Sequence, residues 1–80
     1  MRILIVDDDT AIIEVIRDTV DWDKLGIDEI DVAYDAQGAR ESLTDKAADI
    51  VISDIEMPGE SGLDLLKWFR DEEMPGKVLL

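Results

Sequence analysis

Cysteine and histidine are both absent from this 80-residue chain. Without cysteine there is no disulfide framework and no thiolate chemistry. Lacking both residues, the chain cannot build the usual zinc site, nor a Ser–His or Cys–His nucleophile pair, from its own side chains. Positive charge is scarce as well. Eight Lys and Arg stand against 21 Asp and Glu, a formal charge of −13. Such an excess disfavours binding to nucleic-acid backbones and to anionic membrane surfaces. Long apolar runs are missing too. The longest, residues 3–6, falls far short of a membrane span. Met1-Arg2, four apolar residues and three aspartates make too short a start for a signal peptide, so the expected location is the cytoplasm.

What is present is patterned. Hydrophobic residues make up 46% of the chain and fall in periodic runs, which argues against disorder. Ile3-Leu4-Ile5-Val6 reads as a strand covered on both faces, as in a parallel sheet. Ile12, Ile13, Ile16 and Val20 recur at helical spacing, with Asp9 or Thr10 as N-cap and an expected end near Trp22. Ile30, Val32 and Tyr34 alternate with Asp31 and Ala33, the pattern of a half-exposed edge strand. Asp35 can cap a second helix that turns Ala36, Ala39, Leu43 and Ala47 to one side. Ile50-Val51-Ile52 is another apolar strand. After the Met57-Pro58-Gly59 loop, Ser61 and Asp64 have capping-box spacing, and Leu63, Leu66 and Phe69 are the expected inner face of a third helix. Met74-Pro75-Gly76 breaks that helix, and Lys77-Val78-Leu79-Leu80 starts a fourth strand.

Strands alternating with helices imply βαβ units and a parallel sheet with right-handed crossovers. The expected architecture is an α/β, incomplete doubly wound parallel sheet with strand order 2-1-3-4. At this spacing a five-unit sheet would need about 125 residues. Asp7 and Asp8 end the first strand and Asp54 ends the third. In that order the two strand ends are neighbours, at the switch point where open α/β sheets bind ligands. Three carboxylates brought together repel one another unless a cation neutralises them. An all-oxygen donor set suits Mg²⁺, Mn²⁺ or Ca²⁺.

The runs Ile3-Leu-Ile-Val-Asp-Asp-Asp9, Asp49-Ile-Val-Ile-Ser-Asp-Ile-Glu-Met-Pro-Gly59 and Ser61-Gly-Leu-Asp-Leu-Leu66 together resemble a response-regulator receiver domain. The resemblance spans all 80 residues, which are then the N-terminal part of a single receiver domain of flavodoxin-like fold. It implies that Asp54 is the phosphoacceptor, a carboxylate attacking the phosphohistidine of a partner histidine kinase. It also implies that Asp8 and Asp54 bind Mg²⁺ (or Mn²⁺) directly and Asp7 through water. Glu56 would add its backbone carbonyl, and Pro58 and Gly62 would shape the loop. Carboxylates can accept phosphoryl groups covalently, and a divalent ion lets two anions approach.

Such domains also carry a Thr or Ser ending the fourth strand and a Lys ending the fifth. The sequence stops at Leu80, before either, and Lys77 lies at the wrong end of its strand to substitute. The expectation is therefore a fragment with impaired phosphorylation, or a piece completed by another chain. Two copies completing each other's sheet through residues 78–80 is the homodimer this suggests. Asp21-Trp22 followed by Leu25-Gly26 resembles receivers attached to AraC-type helix-turn-helix output domains, which implies a transcription regulator. Three rivals stand beside this reading. A haloacid-dehalogenase-like phosphatase would use Asp7 as nucleophile, but Thr10 comes one place too early for its motif. An EF-hand starting at Asp21 fails because Val32 occupies the position that needs Glu. A phosphorylation-independent interaction module would leave the acidic cluster without a purpose. The module is expected to signal rather than to act as an enzyme.

Overall fold

The strand at the centre of the sheet owes its place to a sequence that is apolar at every position from 3 to 6. In the computed structural model, which describes residues 1–80, the elements are β1 (Arg2–Val6), α1 (Thr10–Thr19), β2 (Glu29–Ala33), α2 (Ala36–Asp45), β3 (Ile50–Ser53), α3 (Gly62–Asp71) and β4 (Lys77–Leu79). All four strands are parallel, in the expected order β2-β1-β3-β4. Ile3, Leu4, Ile5 and Val6 are all buried. Each such side chain contributes about 1.5–3 kcal/mol. Leu4 and Val6 join a cluster with Ala36, Ala39 and Leu43 of α2, Val51 of β3 and Leu65 and Phe69 of α3. Strand alternation turns Ile3 and Ile5 to the opposite face.

β2 is an edge strand, paired only with β1, and its Ile30 and Val32 are half-buried as their alternation implied. Ala33, read as the outward partner of that alternation, is buried in the cluster, while Tyr34 lies beyond the strand and is exposed. α1 ends at Thr19, short of Trp22, with Val20 as an extended C-cap. Only Ile13 of its isoleucines is fully buried, and Ile12 is exposed. α2 presents Ala36, Ala39 and Leu43 inward as expected. Ala47 lies past the helix end and is exposed, and Ala48 fills the core instead.

The inner face of α3 differs from the expected one. Leu65 is 0% exposed and Phe69 is buried, whereas Leu63 is 57% and Leu66 37% exposed. The reciprocal Ser61–Asp64 capping box forms as its spacing indicated and starts the helix at Gly62. From that start, Gly62, Leu65 and Phe69 share one face at i, i+3, i+7. Leucines on either flank look equivalent in sequence, and the close seating of Gly62 decides between them.

Arg2 was not expected inside. It begins β1 and its side chain is 7% exposed. A buried cation needs partners for its donors. Arg2 Nε donates to Asp31 Oδ2 at 2.7 Å and Nη2 to Ser42 Oγ at 2.6 Å, and Nη1 donates to the Lys46 carbonyl. No buried side-chain polar atom is left unpaired. The guanidinium thereby fastens β2 and α2 to β1 at the end of the sheet opposite the aspartates. Its hydrogen bond and charge hold the Asp31 carboxyl below the usual carboxylate range, with desolvation opposing.

A carboxylate with a lowered folded pKa stabilises above its unfolded pKa, and that contribution is lost as pH falls through the folded value. Asp31→Asn should therefore cost about 0.5–1 kcal/mol near neutral pH, modest because Asp31 is partly exposed. Urea unfolding of both proteins across pH 2–7 is expected to show the gap closing at the acid end. A gap constant over that range would mean the ion pair does not couple to stability.

Candidate functional site

The register of β1 against β3 builds the site. Val6 is paired with Ser53, so the next residue on each strand, Asp7 and Asp54, emerges at the same end of the sheet. The Asp54 amide donates to the Val6 carbonyl at 2.9 Å, and the Asp7 amide to the Ala33 carbonyl at 3.1 Å. One carboxylate oxygen from each of Asp7, Asp8 and Asp54 lies within 4.8 Å of the others. Asp7 is buried, Asp54 half-buried and Asp8 exposed. None of the three forms an ion pair with Lys or Arg.

Asp9 has a different task. Its side chain caps α1, accepting from the Ala11 amide at 3.0 Å and the Ile12 amide at 3.4 Å. Its own amide donates to Asp7 Oδ1 at 2.9 Å. Burial pushes the Asp7 carboxyl up, that hydrogen bond opposes it, and the charges of Asp54, Asp8 and Asp9 push it up further. Two carboxylates at such a separation repel by about 1–3 kcal/mol, depending on the local dielectric. Three unpaired carboxylates with no nitrogen or sulfur donor beside them match a hard, partly hydrated divalent cation.

Glu56 is exposed and its side chain stays outside the carboxylate cluster. Gly62 sits where a side chain could not. A Cβ there would lie 2.2 Å from the Asp54 carbonyl oxygen, and the Gly62 amide donates to the Ile55 carbonyl at 2.8 Å. The start of α3 is thus pressed against the backbone of Asp54. Ser53 is a residue that sequence reasoning missed. It is buried, and its hydroxyl donates to the same Asp54 carbonyl at 3.0 Å. Its signal was a lone hydroxyl closing an otherwise apolar strand. Lys77 pairs with Ile50, the first residue of β3, so it lies at the far end from Asp54.

Residues 3–80 match the family model of the response regulator receiver domain. The chain is 36% identical over 66 residues to the transcriptional regulatory protein YesN of Bacillus subtilis, covering 82% of this chain and 18% of that protein. Among solved structures it is similar to the response regulator TrrA of Thermotoga maritima in complex with Mg²⁺ and BeF, with a TM-score of 0.85 and 37% identity over 99% of this chain and 66% of that one. It is likewise similar to TrrA in complex with the histidine kinase ThkA, with a TM-score of 0.81 and 36% identity over 96% of this chain and 64% of that one. The chain thus spans less than a fifth of the length of YesN and about two-thirds of the solved chains.

Unrelieved repulsion makes a specific expectation. In chelator and low salt, Asp7→Asn should stabilise the protein by about 1 kcal/mol, or about 4–8 °C in Tm. Asparagine keeps an oxygen to accept the Asp9 amide while the buried charge disappears. Millimolar Mg²⁺ should remove or reverse that advantage. An Asn variant melting below the parent in chelator would mean the Asp7 charge is not a cost to the fold.

Proposed function

The chain belongs to the response regulator receiver domain family, and from that premise we propose that it takes a phosphoryl group from a histidine kinase onto Asp54. The observation that carries this reading is the half-exposed Asp54 carboxylate at the end of β3, with carboxylate oxygens of Asp7 and Asp8 within 4.8 Å. Asp7, Asp8 and Asp54, with the backbone carbonyl of Glu56, would hold Mg²⁺; Mn²⁺ fits the same oxygen donors. When bound, such an ion supplies the positive charge that lets an anionic phosphoryl group approach an anionic nucleophile.

Each carboxylate has its own part. The Asp54 side chain accepts no hydrogen bond from the protein, so both its oxygens keep their lone pairs for ligand and phosphorus. One oxygen attacks the phosphorus of the donor's phosphoimidazole. The P–N bond breaks, its electron pair stays on the imidazole nitrogen, and that nitrogen is reprotonated. A P–O bond forms and Asp54 becomes an acyl phosphate. Ser53 and Gly62 hold the Asp54 backbone while this happens, and Asp7 is oriented by the Asp9 amide.

The complexes of TrrA with Mg²⁺–BeF and with ThkA support the choice of ion and donor. Family membership disfavours the phosphatase alternative with Asp7 as nucleophile, as does the burial of Asp7. An interaction module indifferent to phosphate would have no use for three carboxylates held at mutual cost. The chain would act as a switch that is loaded and unloaded, not as a metabolic enzyme. We place it in the cytoplasm, within a transcription regulator, as YesN is named. No helix is long and apolar enough to cross a membrane.

The test is incubation with a small phosphodonor and Mg²⁺, followed by intact-mass analysis. One phosphoryl group should add to the parent, slowly and to part of the protein as impaired phosphorylation implies, and should fail to add when the metal is chelated beforehand or when Asp54 is replaced in Asp54→Asn. Label persisting in Asp54→Asn would overturn the assignment. The homodimer has its own measurement. β4 pairs only with β3, and Leu79 and Leu80 are exposed, so a second copy would join there. Light scattering across protein concentration should show mass rising toward two chains, and a constant single-chain mass would exclude it.

A further inference from the structure

Residues 56–60 carry the chain from the β3 end toward α3, and no backbone hydrogen bond ties them to anything. The backbone on both sides is fixed. Asp54 is bonded to Val6, Gly62 to Ile55, and Ser61 is locked in its capping box. Within the segment, two side chains reach the body of the protein. Met57 is buried in the main apolar cluster. Glu60 forms an ion pair with Arg40 Nη1 of α2, twenty residues away in sequence. Between this loop and the start of α2 lies an open cleft of about 200 Å³, lined by Asp35, Ala36, Gln37, Pro58, Gly59 and Glu60. Met57 joins the loop to the cluster that α2 lines, and beside the cleft the Arg40–Glu60 ion pair makes a second, polar tie to α2.

Apolar burial resists withdrawal of Met57 but sets no direction. A charge-assisted guanidinium–carboxylate bond does set direction. Glu56 lies immediately before Met57, so the course of its backbone follows from how the segment beyond it is held. We infer that Arg40 and Glu60 are positioning residues. Their ion pair holds residues 56–60 in the course that lets the Glu56 carbonyl complete the ligand set of a divalent cation at Asp7, Asp8 and Asp54. This rests on the reading of that cluster as a Mg²⁺ site. The Arg40 side chain is 25% and the Glu60 side chain 48% exposed, so the tie is partly screened and its effect on affinity is moderate.

Neutral substitutions separate positioning from simple charge. Were the effect only the local field, Arg40→Gln would tighten Mg²⁺ binding by removing a positive charge, and Glu60→Gln would weaken it. Positioning requires both to weaken it alike. Mg²⁺ alone is titrated calorimetrically into the parent, each single variant, the double variant, and the charge-swapped Arg40→Glu/Glu60→Arg variant. Circular-dichroism melts confirm that each is folded. The expected result is a loss of about two- to fivefold in each single variant, no further loss in the double, and recovery in the swap. The losses should shrink at high salt. Opposite shifts in the two singles, additive losses, or affinities unchanged from the parent would overturn the tie. Absence of Mg²⁺ binding in the parent would instead overturn the cation site on which the tie rests.

Discussion

Residues 3–6 pair in parallel with residues 50–53, and that register forces the next residue on each strand to the same end of the sheet. Those residues are Asp7 and Asp54. The apolar burial of β1 on both faces drives the pairing, and the carboxylates are carried along by it. Each buried Ile, Leu or Val adds about 1.5–3 kcal/mol, while a pair of carboxylates costs about 1–3 kcal/mol. Several such side chains lie on β1 alone, so hydrophobic burial wins and the repulsion persists in the native state. Charge strain at one end of the sheet is thus a consequence of good packing in its middle. A cation placed among these carboxylates would relieve that repulsion.

The two ends of β1 carry opposite electrostatics. At the N-terminal end, Arg2 is buried with Asp31, Ser42 and the Lys46 carbonyl satisfying its donors. At the C-terminal end, negative charge is left uncompensated by any basic residue. A chain with 8 basic residues against 21 acidic ones has few cations to distribute. Spending one of them at the far end joins β2 and α2 to the centre strand without neutralising the site. The arrangement keeps the Arg2 ion pair and the unpaired carboxylates apart by the length of a strand.

Close backbone approach supplies the remaining precision. Gly62 brings the first turn of α3 against the Asp54 carbonyl, Ser53 donates to the same oxygen, and the capping box fixes where that helix begins. The loop between has no backbone bonds of its own and hangs from Met57 and from Glu60. Asp54 is thus rigidly seated beside a segment held by two side chains, and the loosely held part can move at low cost.

Alternation of strand and helix, the parallel sheet, its order and the three clustered aspartates were legible from residues alone. They rest on local periodicity and on the rule that parallel strands end together. The capping residues Asp35 and Ser61 were legible for the same local reason, and for the first helix the structure selects Asp9 over Thr10. The inner face of α3 was not, since Leu63, Leu65 and Leu66 are chemically equivalent and only the docking of Gly62 selects Leu65. Buried Arg2 and the Arg40–Glu60 tie were not legible either, because their partners lie 20 or more residues away and a charged side chain advertises solvent by default. Sequence by itself determined which residues could carry charge to the site and which strands would bring them. Tertiary structure alone decided which apolar faces are inside, which cation is buried and how the loop is held. Those outcomes depend on distant groups meeting, and local pattern contains no information about that.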